Sequence, residues 1–198
     1  GMPDGSVLVA DHQTAGRGRL DRRWDAPPAA NLLFSVLLRP TWDPGRHPLV
    51  TTTLAVATVD ALGTHGVQAA VKWPNDLLLV GGTAPGKVAG ILAELVGGGP
   101  APGGPGRPGG AGSSAGGSGG LSDGTPGAGS VAIVVGMGVN VAWPALRDDA
   151  PPGATSLVAA GHAIDRADLL ESILTRFEAR LTDLEAPDGP ERIRLAHL

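Results

Sequence analysis

The chain has 198 residues, 42% of them hydrophobic, and a net charge of −4, which is enough for one ordinary domain with a buried core and argues against bulk electrostatic binding to nucleic acid. It has no cysteine, and its five histidines are scattered, which excludes a disulfide framework, a thiolate metal site and a cysteine nucleophile, and predicts no transition metal held by the protein. Residues 1–6 lack the basic and apolar regions of a signal peptide, and no apolar run approaches the roughly 20 residues that span a bilayer, so a cytoplasmic location without membrane contact is expected.

In chain order, residues 6–10 (SVLVA) and 31–39 (NLLFSVLLR) read as buried strands, being apolar with β-branched members. Between them lies a segment rich in glycine and arginine. From about 47 to 62, Val50, Leu54, Ala57 and Ala61 recur with helical spacing, and Gly63 and Gly66 supply a stop, which predicts a buried helix. Strands follow around 69–72, 76–80 and 87–96, the last two joined through Gly81 and Gly82 as a hairpin. Residues 131–141 (VAIVVGMGVNV) form another strand. Over 166–184, Leu170, Ile173, Phe177, Leu181 and Leu184 share one helical face behind Asp165 as N-cap. The Gly/Pro/Ser-rich stretch 97–130 has too little apolar surface to offset its ordering entropy and reads as a disordered insertion. Lengthening a hairpin loop from about 4 to about 34 residues costs roughly 2 kcal/mol, so the insertion need not split the domain, although a linker between two domains stays open as an alternative.

Three segments concentrate groups capable of chemistry. Gln13, Gly16, Arg17, Gly18, Arg19 and Trp24 lie in the first loop, where Arg17, Arg19, Arg22 and Arg23 fall within seven residues of an otherwise acidic chain. Backbone N–H groups near Gly16 and Gly18 with adjacent guanidiniums suit an anion, and Trp24 offers an apolar wall; a solvated basic turn has the same composition. In Lys72-Trp73-Pro74-Asn75-Asp76 a strand ends, Trp-Pro extends the chain and Asn-Asp opens the next strand. These are either turn residues around a core tryptophan or polar groups meeting at one corner. Lys87, opening an apolar strand that runs through Gly90 to Glu94, is either an edge charge or a cation for a ligand. Neither a P-loop nor a complete Rossmann fingerprint is present; Gly136-Met137-Gly138-Val139-Asn140 supplies two glycines on a β-branched run, which suits a strand crossing under a ligand.

In their order and spacing QTAGRGR…W, KWPND and K-x-AG-I-L-x-E resemble the patterns of the biotin protein ligase family, and PPAANLLFSVLLRP, VVGMGVNV and Ala154-Thr155-Ser156-Leu157 are similar to the family as well. The resemblance covers nearly the whole chain apart from the insertion. It implies an α+β domain, 1–198, with a mixed, largely antiparallel sheet flanked by helices, related to class II synthetase and lipoate ligase catalytic domains. It also implies that biotin and ATP, with Mg²⁺, form biotinyl-5′-AMP, and that biotin then passes to a lysine of a biotin carrier domain of a carboxylase such as acetyl-CoA carboxylase. Lys87, Arg17 and Arg19 would offset charge at the α-phosphate. Asp76 would orient the acceptor lysine, Gln13 would bind the biotin head and Trp24 would close the loop. Gly16, Gly18, Lys72, Asn75, Gly90, Gly138 and Asn140 complete the implied biotin and adenylate contacts.

Members usually carry a Ser/Thr-Thr-Asn segment before the first strand and a small β-barrel after the last helix; neither pattern occurs in 1–198, so part of the pocket is expected to be lacking. No DNA-binding helix-turn-helix is found, and Asp21 stands where many members have glycine. Family members sometimes dimerise through the sheet, so a homodimer remains open. Two other readings are a lipoate or octanoyl ligase, which would show an Arg-Arg-x-x-Gly-Gly-Gly type loop, and a truncated module that binds biotin or adenylate without turnover.

Overall fold

The computed structural model describes residues 1–20, 22–97, 131–144 and 151–196; of the expected insertion all but Gly97 lies outside the described residues, as does Asp21. Six strands form one sheet: β1 (Val7–Ala10), β2 (Leu32–Leu38), β3 (Ala69–Lys72), β4 (Asp76–Leu79), β5 (Gly86–Val96) and β6 (Ala132–Val139). Their order across the sheet is β1-β2-β6-β5-β4-β3, and every neighbouring pair is antiparallel. Among the described residues parallel pairing occurs at an isolated bridge between Lys87 and Ala154.

Among the described residues three α-helices cover the sheet, α1 (Leu49–Thr64) against the strands and α2 (Arg166–Glu185) and α3 (Gly189–Leu195) against α1. Helix α1 touches β3, β4 and β5 on one side and α2 and α3 on the other, which explains why its sequence is apolar on most faces instead of along one stripe. It ends at Thr64, one residue past Gly63. Gly66, at φ +74°, ends it, with the Val67 N–H returned to the Leu62 carbonyl at 3.0 Å, a left-handed C-terminal cap that glycine adopts without steric cost. Asp165 caps α2 as predicted, accepting from the N–H groups of Ala167 and Asp168. The buried stripe of α2 is Leu169, Ile173, Phe177 and Leu184, with Leu170 and Leu181 only partly covered, a rotation of the expected face toward Leu169. The core lies between helices and sheet, where Phe34 and Val36 of β2, Ala89 and Ile91 of β5, and Val135 and Met137 of β6 meet Leu54 and Ala57 of α1. Because side chains alternate along a strand, the residues between these face the other way. That opposite face carries the site.

Candidate active site

The loop between β1 and β2 folds back over the sheet as a small hairpin, with the Trp24 N–H donating to the Gly16 carbonyl at 2.9 Å and the Gly18 N–H to the Arg22 carbonyl at 2.7 Å. Gly16 is required at its base: a Cβ there would lie 2.1 Å from the Trp24 carbonyl oxygen, whereas at Gly18 the nearest atom would be 3.4 Å away. Gly16→Ala is therefore expected to open the hairpin and weaken ligand binding at least about tenfold, ~1.4 kcal/mol, while Gly18→Ala is tolerated. Titration calorimetry with biotin, the ligand that the sequence resemblance implies, checks this on both variants.

The hairpin is tied to the sheet by its cations. Arg17 pairs with Glu94 at 2.6 Å, and an Arg19 guanidinium N–H reaches Asn75 Oδ1 at 3.4 Å. Asn75 is itself fixed, its side-chain amide donating to the Ile91 carbonyl at 2.9 Å while its own carbonyl accepts from the Ile91 N–H. Between hairpin and sheet lies a cleft of about 490 Å³, within the range of small-molecule sites. Its floor is bare backbone: Gly90 of β5 pairs with Gly138 of β6, and the Trp24 indole lies directly on them, so that a Cβ at Gly138 would sit 2.4 Å from the ring and one at Gly90 3.0 Å from it. The Trp24 Nε1 is buried there without a hydrogen-bond partner.

A β-bulge between Leu77 and Leu78 of β4 shifts the register with β5. Past this bulge Lys87 turns into the cleft. Its Nζ lies 2.6 Å from Asp76 Oδ1, with both side chains largely covered, and 5.6 Å from the centroid of the Trp24 ring. Both lysines of the chain, Lys72 and Lys87, line this cleft.

Of the sequence-predicted residues, Gln13, Arg17, Gly18, Arg19, Trp24, Lys72, Asn75, Asp76, Lys87, Gly90 and Gly138 line the one cleft. Gly16 borders an adjoining recess. Asn140 does not line the cleft: the residue is 5% exposed, and its side-chain amide donates to the Thr155 carbonyl at 2.9 Å. Leu92 also lines the cleft, as do Glu94 and Gly136, which the sequence placed in these motifs without assigning them a contact. Alternation from Gly90 and Gly138 places them on the same face, and that signal could have found them. Trp73, 75% exposed, stands at the rim instead of in the core.

A chain with these features has known counterparts. Residues 1–104 match the model of the biotin/lipoate A/B protein ligase family. A biotin–[acetyl-CoA-carboxylase] ligase of Paracoccus denitrificans is 34% identical, over 91% of this chain and 66% of the relative. The bifunctional ligase/repressor BirA of Bacillus subtilis is 34% identical, over 91% of this chain and 47% of its own length. The chain thus spans about half to two thirds of the curated relatives it matches. A biotin protein ligase from Aquifex aeolicus, solved with biotin and ATP, superposes with a TM-score of 0.67 at 25% identity, covering 96% of this chain and 66% of that one.

Proposed function

The chain belongs to the biotin/lipoate A/B protein ligase family, and on that premise we propose that it carries the catalytic site of a biotin protein ligase, which activates biotin with ATP and passes it to a lysine of a biotin carrier domain. The observation that carries this reading is the convergence of Lys87, Asp76, Arg19, Asn75 and Trp24 on one glycine-floored cleft. The cleft's volume of about 490 Å³ suits a small apolar acid, and Arg17, Arg19 and Lys87 line it.

In the first step a biotin carboxylate oxygen attacks the α-phosphorus of ATP, the bond to the bridging oxygen breaks, and pyrophosphate leaves. An anion approaches a polyanion, so preorganised positive charge lowers the barrier. Lys87 supplies it once its ammonium exchanges Asp76 for phosphate oxygen, and Arg17 and Arg19 supply it by exchanging Glu94 and Asn75 for the ligand. Mg²⁺ would arrive with the triphosphate and add charge at the phosphate oxygens. Gln13 and the backbone at Gly90 and Gly138 hold the biotin end, for which the indole of Trp24 must leave the floor and settle over the ligand; the closed hairpin then shields the mixed anhydride from water. In the second step a neutral acceptor amine attacks the carbonyl carbon and AMP leaves. An exposed lysine, with an ordinary pKa of about 10.4, is charged at neutral pH, and Asp76, freed from Lys87, is placed to receive its proton.

The test is pyrophosphate release by the chain with Mg²⁺-ATP and biotin, followed by transfer of labelled biotin to a carrier domain. Release with biotin and not with lipoate is expected. Binding of biotin without release would leave a binding module, and release with lipoate alone would overturn the substrate assignment.

A further inference from the structure

Of the four tryptophans in the chain, three are covered by the fold. Trp24 lies on the glycine floor of the cleft, Trp42 packs against the core and Trp143 is half-buried. Trp73 is 75% exposed, although folding usually covers most of a tryptophan. It sits in the turn between the end of β3 at Lys72 and the start of β4 at Asp76, and that turn is held firmly. Lys72 pairs with Asp76 across its base, and Asn75 is joined to Ile91 of β5 by its side-chain amide and by its carbonyl. The indole is therefore carried into solvent by a pinned turn, and a partner meeting it has little chain to order.

Its surroundings are apolar and positive. Leu20, 82% exposed on the hairpin, lines the same cleft as Trp73, and the contact from Arg19 to Asn75 brings hairpin and turn side by side. Among the described residues six basic side chains line the cleft against two acidic ones, in a chain whose net charge is −4. Both acidic ones are already paired, Asp76 with Lys87 and Glu94 with Arg17. A triphosphate would offset this surplus in the first step. Pyrophosphate has left before the acceptor reacts, however, and the adenylate keeps a single phosphate charge, so the mouth that meets the acceptor is positive again. A lysine side chain is short. For its amine to reach Asp76, the backbone that carries it must come to this mouth, beside a turn that presents Trp73 three residues before Asp76.

We propose that Trp73 anchors the acceptor: a folded carrier domain with an acidic, partly apolar face around its lysine docks on the mouth of the cleft and covers the indole. Rigid aromatic side chains at the centre of a contact carry much of its binding energy, and opposite charge around them speeds and orients the encounter. The proposal rests on the ligase reading and adds to it the surface that receives the second substrate.

The test is calorimetric titration of an unbiotinylated carrier domain into the chain without ATP. Trp73→Ala should weaken the complex at least about tenfold, Trp73→Phe should weaken it less, and rising salt should weaken the wild-type complex. In turnover, Trp73→Ala should lower kcat/KM for biotin transfer to the domain at least about tenfold, mainly through KM. First-turnover pyrophosphate release and transfer to hydroxylamine, which needs no docking surface, should not change. Unchanged affinity and KM for the domain would overturn the proposal, and an affinity indifferent to salt would overturn the acidic face. An equal loss with hydroxylamine would show that the indole serves the chemistry instead. If Trp73→Ala dissociated a dimer and left binding of the domain intact, the face would belong to a second copy of the chain. A wild-type chain releasing no pyrophosphate would count against the ligase reading alone, since the titration still decides the docking.

Discussion

Lys87→Ala is expected to lower the rate of biotin-dependent pyrophosphate release by a hundred-fold or more, while the chain stays folded and biotin still binds. Two magnitudes decide this. In the free protein Lys87 is engaged in a partly exposed ion pair with Asp76, and pairs of that kind contribute at most about 1 kcal/mol to stability. At a centre where charge develops on phosphorus, one preorganised donor supplies about 2.7–4 kcal/mol. Rate should therefore suffer far more than melting temperature, and stopped-time pyrophosphate assays beside thermal unfolding measure both. Lys87→Arg should recover only part of the rate, because a planar guanidinium on a longer stem does not place its charge where the ammonium stood. Equal losses of stability and rate would show that the lysine is chiefly structural.

Gly138→Ala should weaken biotin binding at least about tenfold, ~1.4 kcal/mol, with little change in the sheet. The added methyl would meet the Trp24 indole at 2.4 Å. The ring, being the end of a loop side chain, can give way, whereas the floor it rests on cannot. The methyl instead stays in the slot that a ligand must enter. Biotin titration calorimetry with thermal unfolding separates the outcomes: lost stability with undiminished biotin affinity would mean that the bare strip serves the packing of Trp24 alone.

Much of this architecture was legible in the sequence, because strands, α1 and α2 each carry a periodic or continuous apolar signal. Helix α3 was not: seven residues with Ile193 as their buried side chain are too few to establish a period. The exact face of α2 slipped because Leu169 and Leu170 are adjacent leucines, and pattern alone does not decide which points inward. The gathering of Gln13, Arg19, Asp76 and Lys87 came through motif resemblance, since nothing in their spacing brings residues from separate strands together. The bulge at Leu77 and Leu78 that turns Lys87 into the cleft has no sequence signature here. Asn140 enters the expected contacts through motif resemblance alone; its engagement with Asn31 pairs residues 109 positions apart, which no local rule connects.

The indole resting on Gly90 and Gly138 has a magnetic consequence. With no side chain between them, glycine α-protons of neighbouring strands lie under the face of an aromatic ring, whose induced current shifts their resonances upfield. Those two glycine signals report the place of one tryptophan. A titration that moves them back toward ordinary glycine values records the ring leaving the sheet, before any chemistry has occurred and without a label.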